Sequence, residues 1–311
     1  MSARSALPLP SGGGSAAVWS GRLTGEAGMV PGVHGAEASA MTAEQSVREG
    51  NLDEGLRQLQ SQVRSDPSKA AHRVFLFQLL AVLGQWDRAL TQLNVVGDLD
   101  AASLPMVQAY RDALQCEVFR NDVFTGKRAP VVFGEPAPWL GLLIEALRLD
   151  AEANFAAAAA SREAAFDAAP ATRGTIDGTP FEWIADADSR LGPTLEAVVN
   201  GRYYWIPFAR IAKIAIEAPV DLRDRVWTPA TFTWANEGQA AGFIPSRYAG
   251  TAPSTDSALL LARRTEWIEY GAGGEQASAR AIGQRMFATD ANEYALLDVR
   301  SIELEVAADH G

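Results

Sequence analysis

The sequence predicts an α+β chain, with an N-terminal helical-repeat domain followed by a C-terminal mostly-β domain that is either a small barrel or a twisted antiparallel sheet. Three observations predict it. Between residues 42 and 96, apolar residues at helical spacing repeat themselves 34 positions later. After Thr172 the pattern changes to short runs rich in β-branched and aromatic residues, bounded by Gly, Pro, Asn and Asp. Finally, Asn200-Gly201 separates TLEAVV from RYYWIPF. Both residues tolerate positive φ, so this is the pattern of a tight type I′ hairpin. Helices first and strands afterwards argue for segregated layers rather than alternating β-α units.

The chain has 311 residues, long enough for two domains that each bury a core, expected at 41–171 and 172–307 after a leader at 1–40. Its net charge is -11, spread as 12 basic against 17 acidic residues in 41–171 and 13 against 19 in 172–311. An evenly acidic surface disfavours a nucleic-acid backbone or an anionic membrane as partner. Cys116 is the single cysteine and falls in a helical pattern, which predicts a buried, inert thiol and a reducing compartment. No apolar run reaches the roughly 18 residues of a membrane span. SALPLPSGGG after Arg4 is no signal peptide, so a cytoplasmic protein is expected.

Residues 1–40 hold eight glycines and three prolines without periodicity and are expected to be disordered. Thr42 and Gln45 form a capping-box pattern, which places the expected natural start at Met41 or Met29. Gly50, Leu52, Gly55, Leu56 and Leu59 then recur as Gly84, Trp86, Ala89, Leu90 and Leu93. A turn glycine, a large apolar residue two later and a small residue after three more resemble the tetratricopeptide spacing, with Pro67 closing the first unit. Phe77 and Ala101 depart from that spacing. A third unit opening at Leu104-Pro105 meets Val118 where a turn glycine belongs, so a capping helix is expected there. The loop TGKRAPVVFGEPAP is not a phosphate loop, because Asn121 and Arg128 occupy its required Gly and Ser/Thr positions. Helices are expected over 139–149 and 151–169, ending at Pro170.

In the second half, IAKIAIE, VWTPATFTW, QAAGFIP, ALLLARRTEWIEY, AIGQRMFAT and YALLDVRSIELE read as strands organised around the Asn200-Gly201 hairpin. Asp186 and Asp188 could share a strand face as an acid-base or cation-binding pair. An ion-pair network with Arg190 and Arg202 is the preferred reading. In DLRDR, Arg223 or Arg225 is expected to clamp Asp186, Asp188 or Glu196 beside Asp221 and Asp224, and the rival reading is an anion or peptide-carboxylate site built on the same arginines. Only His72 among three histidines falls in expected folded sequence, beside Arg73 at a helix start, since His34 and His310 lie near the ends. No zinc spacing, Ser-His-Asp set or dinucleotide fingerprint is present. Tyr203, Tyr204 and Trp205 could cage a small ligand, although such stripes are more often core.

The helical half suggests a different kind of site. In the repeat register, Glu44, Val47, Arg48, Val74, Gln78, Ala81 and Val82 face one concave side, with Lys69 at the junction. That apolar floor with charges at its rim suits an amphipathic helix, unless the protein's own helix at Trp139 to Leu149 covers it.

The blocks WIADADSRLGPTLEAVVNGRYYWIPF, PVDLRDRVWTPATFTW and FIPSRY, with matching character from about Thr42 onward, resemble the ImpE/TagJ family of type VI secretion accessory proteins. The resemblance implies a non-enzymatic adaptor without cofactor or metal. It further implies binding to the small sheath subunit and a modulating role near the ClpV AAA+ ATPase. The alternative is a carboxylate-dependent hydrolase or metal-dependent enzyme using Asp186 and Asp188.

Overall fold

The structure, a computed structural model, describes residues 42–271 and 278–306. The expected leader at 1–40, both candidate start methionines, His34 and His310 lie outside them. The chain opens as its capping box requires. Thr42 accepts from the Gln45 amide at 3.2 Å, and the Gln45 side chain accepts from the Thr42 amide at 2.9 Å.

Seven helices follow in the first half: α1 (Ala43–Arg48), α2 (Leu52–Ser65), α3 (Ala70–Val82), α4 (Trp86–Leu99), α5 (Leu104–Phe124), α6 (Pro138–Ala151) and α7 (Phe155–Ala168). α1 with α2, α3 with α4 and α6 with α7 form hairpins across three-residue turns. The turns share one geometry. Gly50 (φ 87°), Gly84 (φ 66°) and Ala153 (φ 59°) all adopt the left-handed conformation. The residue after each donates its amide back five positions: Asn51 to Ser46, Gln85 to Leu80 and Asn154 to Leu149. Those bonds satisfy carbonyls that the helix end leaves open. Because Val118 offers no such turn, α5 runs unbroken for 21 residues. The helix expected from 151 breaks at Glu152–Asn154 instead, where Ala153 takes the conformation that glycine takes in the other two turns.

The second half is mostly β. One antiparallel sheet of eight strands runs in the order β2-β1-β13-β6-β7-β8-β4-β5. Its strands are β1 (Gly174–Ile176), β2 (Thr179–Phe181), β4 (Thr194–Val199), β5 (Arg202–Pro207), β6 (Ile211–Ile216), β7 (Trp227–Trp234), β8 (Gln239–Pro245) and β13 (Ser301–Leu304). Among the described residues no pairing joins β2 to β5. β3 (Ile184–Asp186), β11 (Met286–Thr289) and β12 (Glu293–Ala295) form a small sheet, and β9 (Thr265–Tyr270) pairs with β10 (Ser278–Gly283).

Two expectations are corrected. The Asn200-Gly201 hairpin forms with both φ positive, 50° and 72°, and Val199 opposite Arg202, but it lies at one end of the large sheet rather than at its centre. ALLLARRTEWIEY is not one strand: Asp256 caps a short helix, α8 (Ser257–Leu260), before β9 begins.

The sheet is buried on both faces near the hairpin, which explains why all six residues of β4 are buried, Glu196 among them. Leu195, Ala197 and Val199 join Ile206, Phe208, Ile214 and Phe287 in one core. Val198, Tyr203 and Trp205 pack with Trp139, Leu140, Leu143 and Leu147 of α6 in another. A third core joins α1–α5 to Val226, Trp227, Leu260 and Leu261. Gly242 of β8 makes the β4 pairing possible, since a Cβ there would lie 2.4 Å from the Val198 carbonyl oxygen. Gly242→Ala is therefore expected to lower stability by about 1–3 kcal/mol, read as a shift in thermal midpoint. An unchanged midpoint would mean that β4 and β8 can separate without loss.

Candidate functional site

Two places concentrate unusual residues. The first is a buried ion-pair network. β3 ends at Asp186, opposite Phe287 of β11, and the chain turns immediately, so Asp188 lies in the turn rather than on the same strand face. Asp186 accepts the Asp188 amide at 2.9 Å and pairs with Arg285. Arg285 also pairs with Glu196 and donates Nε to the Pro245 carbonyl at 2.9 Å. Glu196 is gripped from its other side by Arg120 of α5, through Nε at 2.6 Å and Nη2 at 2.8 Å. It also accepts from the Tyr203 hydroxyl, which in turn accepts from Trp205 Nε1 at 2.8 Å. Asp186, Glu196 and Arg285 are buried.

Asp188 forms a second knot. It holds Arg190 Nε at 2.9 Å and Nη2 at 2.6 Å, and it accepts the Ala281 amide of β10 at 3.0 Å. Burial pushes the Asp186 carboxyl up to about 7, with Arg285 opposing the shift. Burial acts on Glu196 in the same sense, but the two arginines beside it outweigh burial and hold it down at about 2. Burial lifts the Cys116 thiol to about 12, with its Sγ 3.6 Å from the Gly201 carbonyl oxygen.

Three expected members of the network stand elsewhere. Arg202 is exposed at the hairpin. Arg223 pairs with its neighbour Asp221 and lies over the Tyr110 ring at 4.8 Å, so local partners capture it before it could reach Asp186. Asp224 accepts the Val220 and Asp221 amides at 2.8 Å each and fixes its own loop. Arg285 and Arg120 supply the cations for Asp186 and Glu196 instead. The only sequence signal for Arg285 was a cation inside an otherwise strand-like run, GQRMFAT. Tyr203 and Trp205 are core, and half-buried Tyr204 packs edge-on against Phe133 at 5.6 Å, which fills the space a ligand cage would need.

The second place is the face shared by α1 and α3. Of the residues expected there, Glu44, Arg48 and Lys69 are exposed and Val74 is half-buried. Val47 is buried against Gly55 of α2, and Gln78, Ala81 and Val82 are buried where the protein's own β half meets them. The cover is not α6, which packs on the hairpin, but the loop before β7 together with Arg247. The Leu222 amide donates to Gln78 Oε1 at 3.1 Å, and Arg247 Nη1 donates to the Val82 carbonyl at 2.7 Å. Two clefts remain beside that loop. One, of about 560 Å³, is lined by Val74, Phe75, Gln78, Val220 and Leu222 among others. The other, of about 290 Å³, is lined by Glu44, Val47, Arg48, Phe75, Arg225 and Arg263 with the same loop. Val220, 91% exposed, borders both.

Comparison with known proteins places this architecture. The X-ray crystal structure of protein VPA1032 from Vibrio parahaemolyticus superposes with a TM-score of 0.76 at 22% identity, covering 85% of this chain and 98% of that one, so the fold is shared. Residues 178–303, nearly the whole β half, match the family described as ImpE protein. The Type VI secretion system accessory component TagJ of Pseudomonas aeruginosa is 53% identical over 266 residues, which span 86% of this chain and 92% of the relative. With identity at that level across both halves, the chain belongs to the ImpE/TagJ family.

Proposed function

We propose that the protein is a non-enzymatic accessory component of a bacterial type VI secretion system, acting in the cytoplasm. It binds the small sheath subunit on the face of α1 and α3 and modulates recruitment of the sheath or of the ClpV ATPase. The observation that carries the reading is the 53% identity, over 86% of the chain, to a protein named as an accessory component of that system.

The helical half supports the reading as a tetratricopeptide-like scaffold. Gly55 and Ala89 sit five residues after the turn positions Gly50 and Gly84, and Ala158 sits five after Ala153. A small residue at that point allows the two helices of each hairpin to approach closely. Hairpins of this kind present the first helix of each unit to a partner segment. The enzyme alternative is disfavoured by the network itself. Asp186 and Asp188 are each engaged by an arginine and by a backbone amide, in a buried position away from either cleft.

The test is titration of the full chain with purified small and large sheath subunits. Val220→Gln should weaken binding of the small subunit by roughly tenfold, as loss of an interface anchor does. Its thermal midpoint should not change, since that side chain is exposed. Wild-type affinity in the variant would move the binding surface away from this loop, and absence of binding to either subunit would overturn the reading.

A further inference from the structure

β9 stands outside the large sheet and pairs with β10 alone, in a register that runs without a shift from Thr265 opposite Gly283 to Tyr270 opposite Ser278. In an antiparallel pair, alternate residues aim their amide and carbonyl at the partner strand and the others aim them away. The contacts of β10 show which residues are which. The Ala281 amide donates to Asp188 at 3.0 Å, the Gly283 amide donates to the Thr251 hydroxyl at 2.8 Å, and the Gly283 carbonyl accepts from the Tyr248 amide at 2.9 Å. Ala281 and Gly283 therefore point away from β9. Their opposite numbers are Trp267 and Thr265, and Glu269 lies two residues further along. These three turn their backbone groups away from β10, and among the described residues none of those groups has a hydrogen-bond partner.

The strand keeps none of the usual defences of an open edge, for TEWIEY has no proline, no lysine and no bulge. It is also held in place. Asp188 and Arg190 fasten the far side of β10, and the Tyr270 hydroxyl donates to Asp150 of α6 at 2.9 Å. Two strands alone make a marginal sheet, so a further strand on β9 adds stability as well as backbone bonds.

The sequence of β9 is its own complement. Antiparallel pairing about Trp267 sets Thr265 of one copy opposite Glu269 of the other, Trp267 opposite Trp267 and Glu266 opposite Ile268, so no carboxylate faces a carboxylate directly. Every outward residue then meets an outward residue. Slipping the register by one residue sets outward groups against groups already bonded to β10. Slipping it by two either puts Glu266 opposite Glu266 or carries Thr265 past the end of the facing strand. Glu266 is already paired with Arg264 at 2.6 Å, so the edge is not an acidic stripe that selects a basic foreign strand.

We infer that β9 is a dimerisation edge, on which a second copy of this chain adds its own β9 antiparallel across a two-fold axis at Trp267, giving a four-stranded sheet in the order β10-β9-β9-β10.

The experiment is sedimentation of the full chain over a range of concentrations at low and at physiological salt. The expected result is a reversible dimer that added salt tightens, because each copy carries a net charge of -11 and salt screens the repulsion between them. Glu269→Pro removes one outward N–H from each copy and no bond to β10, and should weaken the dimer by about tenfold or more. Glu269→Ala keeps that N–H and should associate at least as well as wild type. Glu266→Cys combined with Ile268→Cys places thiols face to face across the axis and should give a disulfide-linked dimer on oxidation, while Cys116 stays buried. A wild type that remains a monomer at every concentration overturns the inference, as does a dimer that Glu269→Pro leaves unchanged. If Glu269→Pro does not fold, the double cysteine variant decides, and its failure to cross-link overturns the inference too.

Discussion

Replacing Arg285 by Met is expected to destabilise the protein by about 3–5 kcal/mol, the largest effect of any single substitution proposed here. The reason is the number of groups that depend on one guanidinium. Arg285 is fully buried, pairs with both Asp186 and Glu196, and satisfies the Pro245 carbonyl. Without it Asp186 keeps only the Asp188 amide, and Glu196 must rely on Arg120 and Tyr203. A buried carboxylate without its cation is far more unfavourable than the intact pair. Arg285→Lys should recover little, because a single ammonium cannot span two carboxylates and a carbonyl in the planar geometry that the guanidinium supplies. Urea unfolding and the thermal midpoint both read the effect, the latter falling by roughly 10 °C. A loss under about 1 kcal/mol would show that the network is solvated on unfolding pathways and at rest, and that its pairs contribute like surface ones.

The pH dependence of stability should carry two contributions of opposite sign from the same cluster. The ordinary carboxyl value for Glu196 is 4.5 and the folded value about 2, so its stabilisation is complete above the higher figure and is lost as pH falls through the lower. Asp186 behaves the other way. Its ordinary value is 3.8 and its folded value about 7, so between them the folded state holds a proton that the unfolded state has released. Stability owed to Asp186 therefore declines as pH rises across that window, by about 1.4 kcal/mol per unit at most. Asp186→Asn removes the titration while keeping the shape. Measured from about pH 4 to about pH 7, the wild type should lose ground steadily against the variant, with the difference levelling above that range. A wild type that gains on the variant with rising pH would show that Arg285 dominates Asp186 and that burial does not.

How much of this was legible follows from the range of each interaction. The Thr42 cap, the Asn200-Gly201 hairpin and the 34-residue recurrence of Gly50 and Gly84 are local, and the sequence displays them directly. The third helical hairpin was expected as two helices, but its turn was placed at residue 150 instead of 152–154 because Ala153, not glycine, takes the left-handed conformation, and alanine gives no composition signal for it. Asp186, Asp188, Arg190 and Glu196 were named from the sequence, whereas Arg120 and Arg285, which bind two of them, were not. Glu196 meets Arg120 across 76 residues and Arg285 across 89, so no window of sequence contains the partners. Arg223 was expected to clamp a distant carboxylate with its planar fork, and it does not because Asp221, two residues away, takes it first. The cover over the α1–α3 face was equally out of reach, since Leu222 contacts Gln78 from 144 positions away.

The two ends of the large sheet constrain how anything can join the molecule. At β5, Trp205 already exchanges backbone bonds with the segment before α6, its amide donating to the Val131 carbonyl at 2.9 Å and its carbonyl accepting from Phe133 at 3.0 Å. At the opposite end β2 is three residues long and has Pro180, which lacks an N–H, at its middle. Neither margin offers a template long enough for another chain to be stitched on as an added strand. Strand addition at either margin of this sheet is therefore disfavoured, which leaves side chains on the helices and loops around it as the groups that another protein can meet there, where contacts can be made and released without opening the backbone.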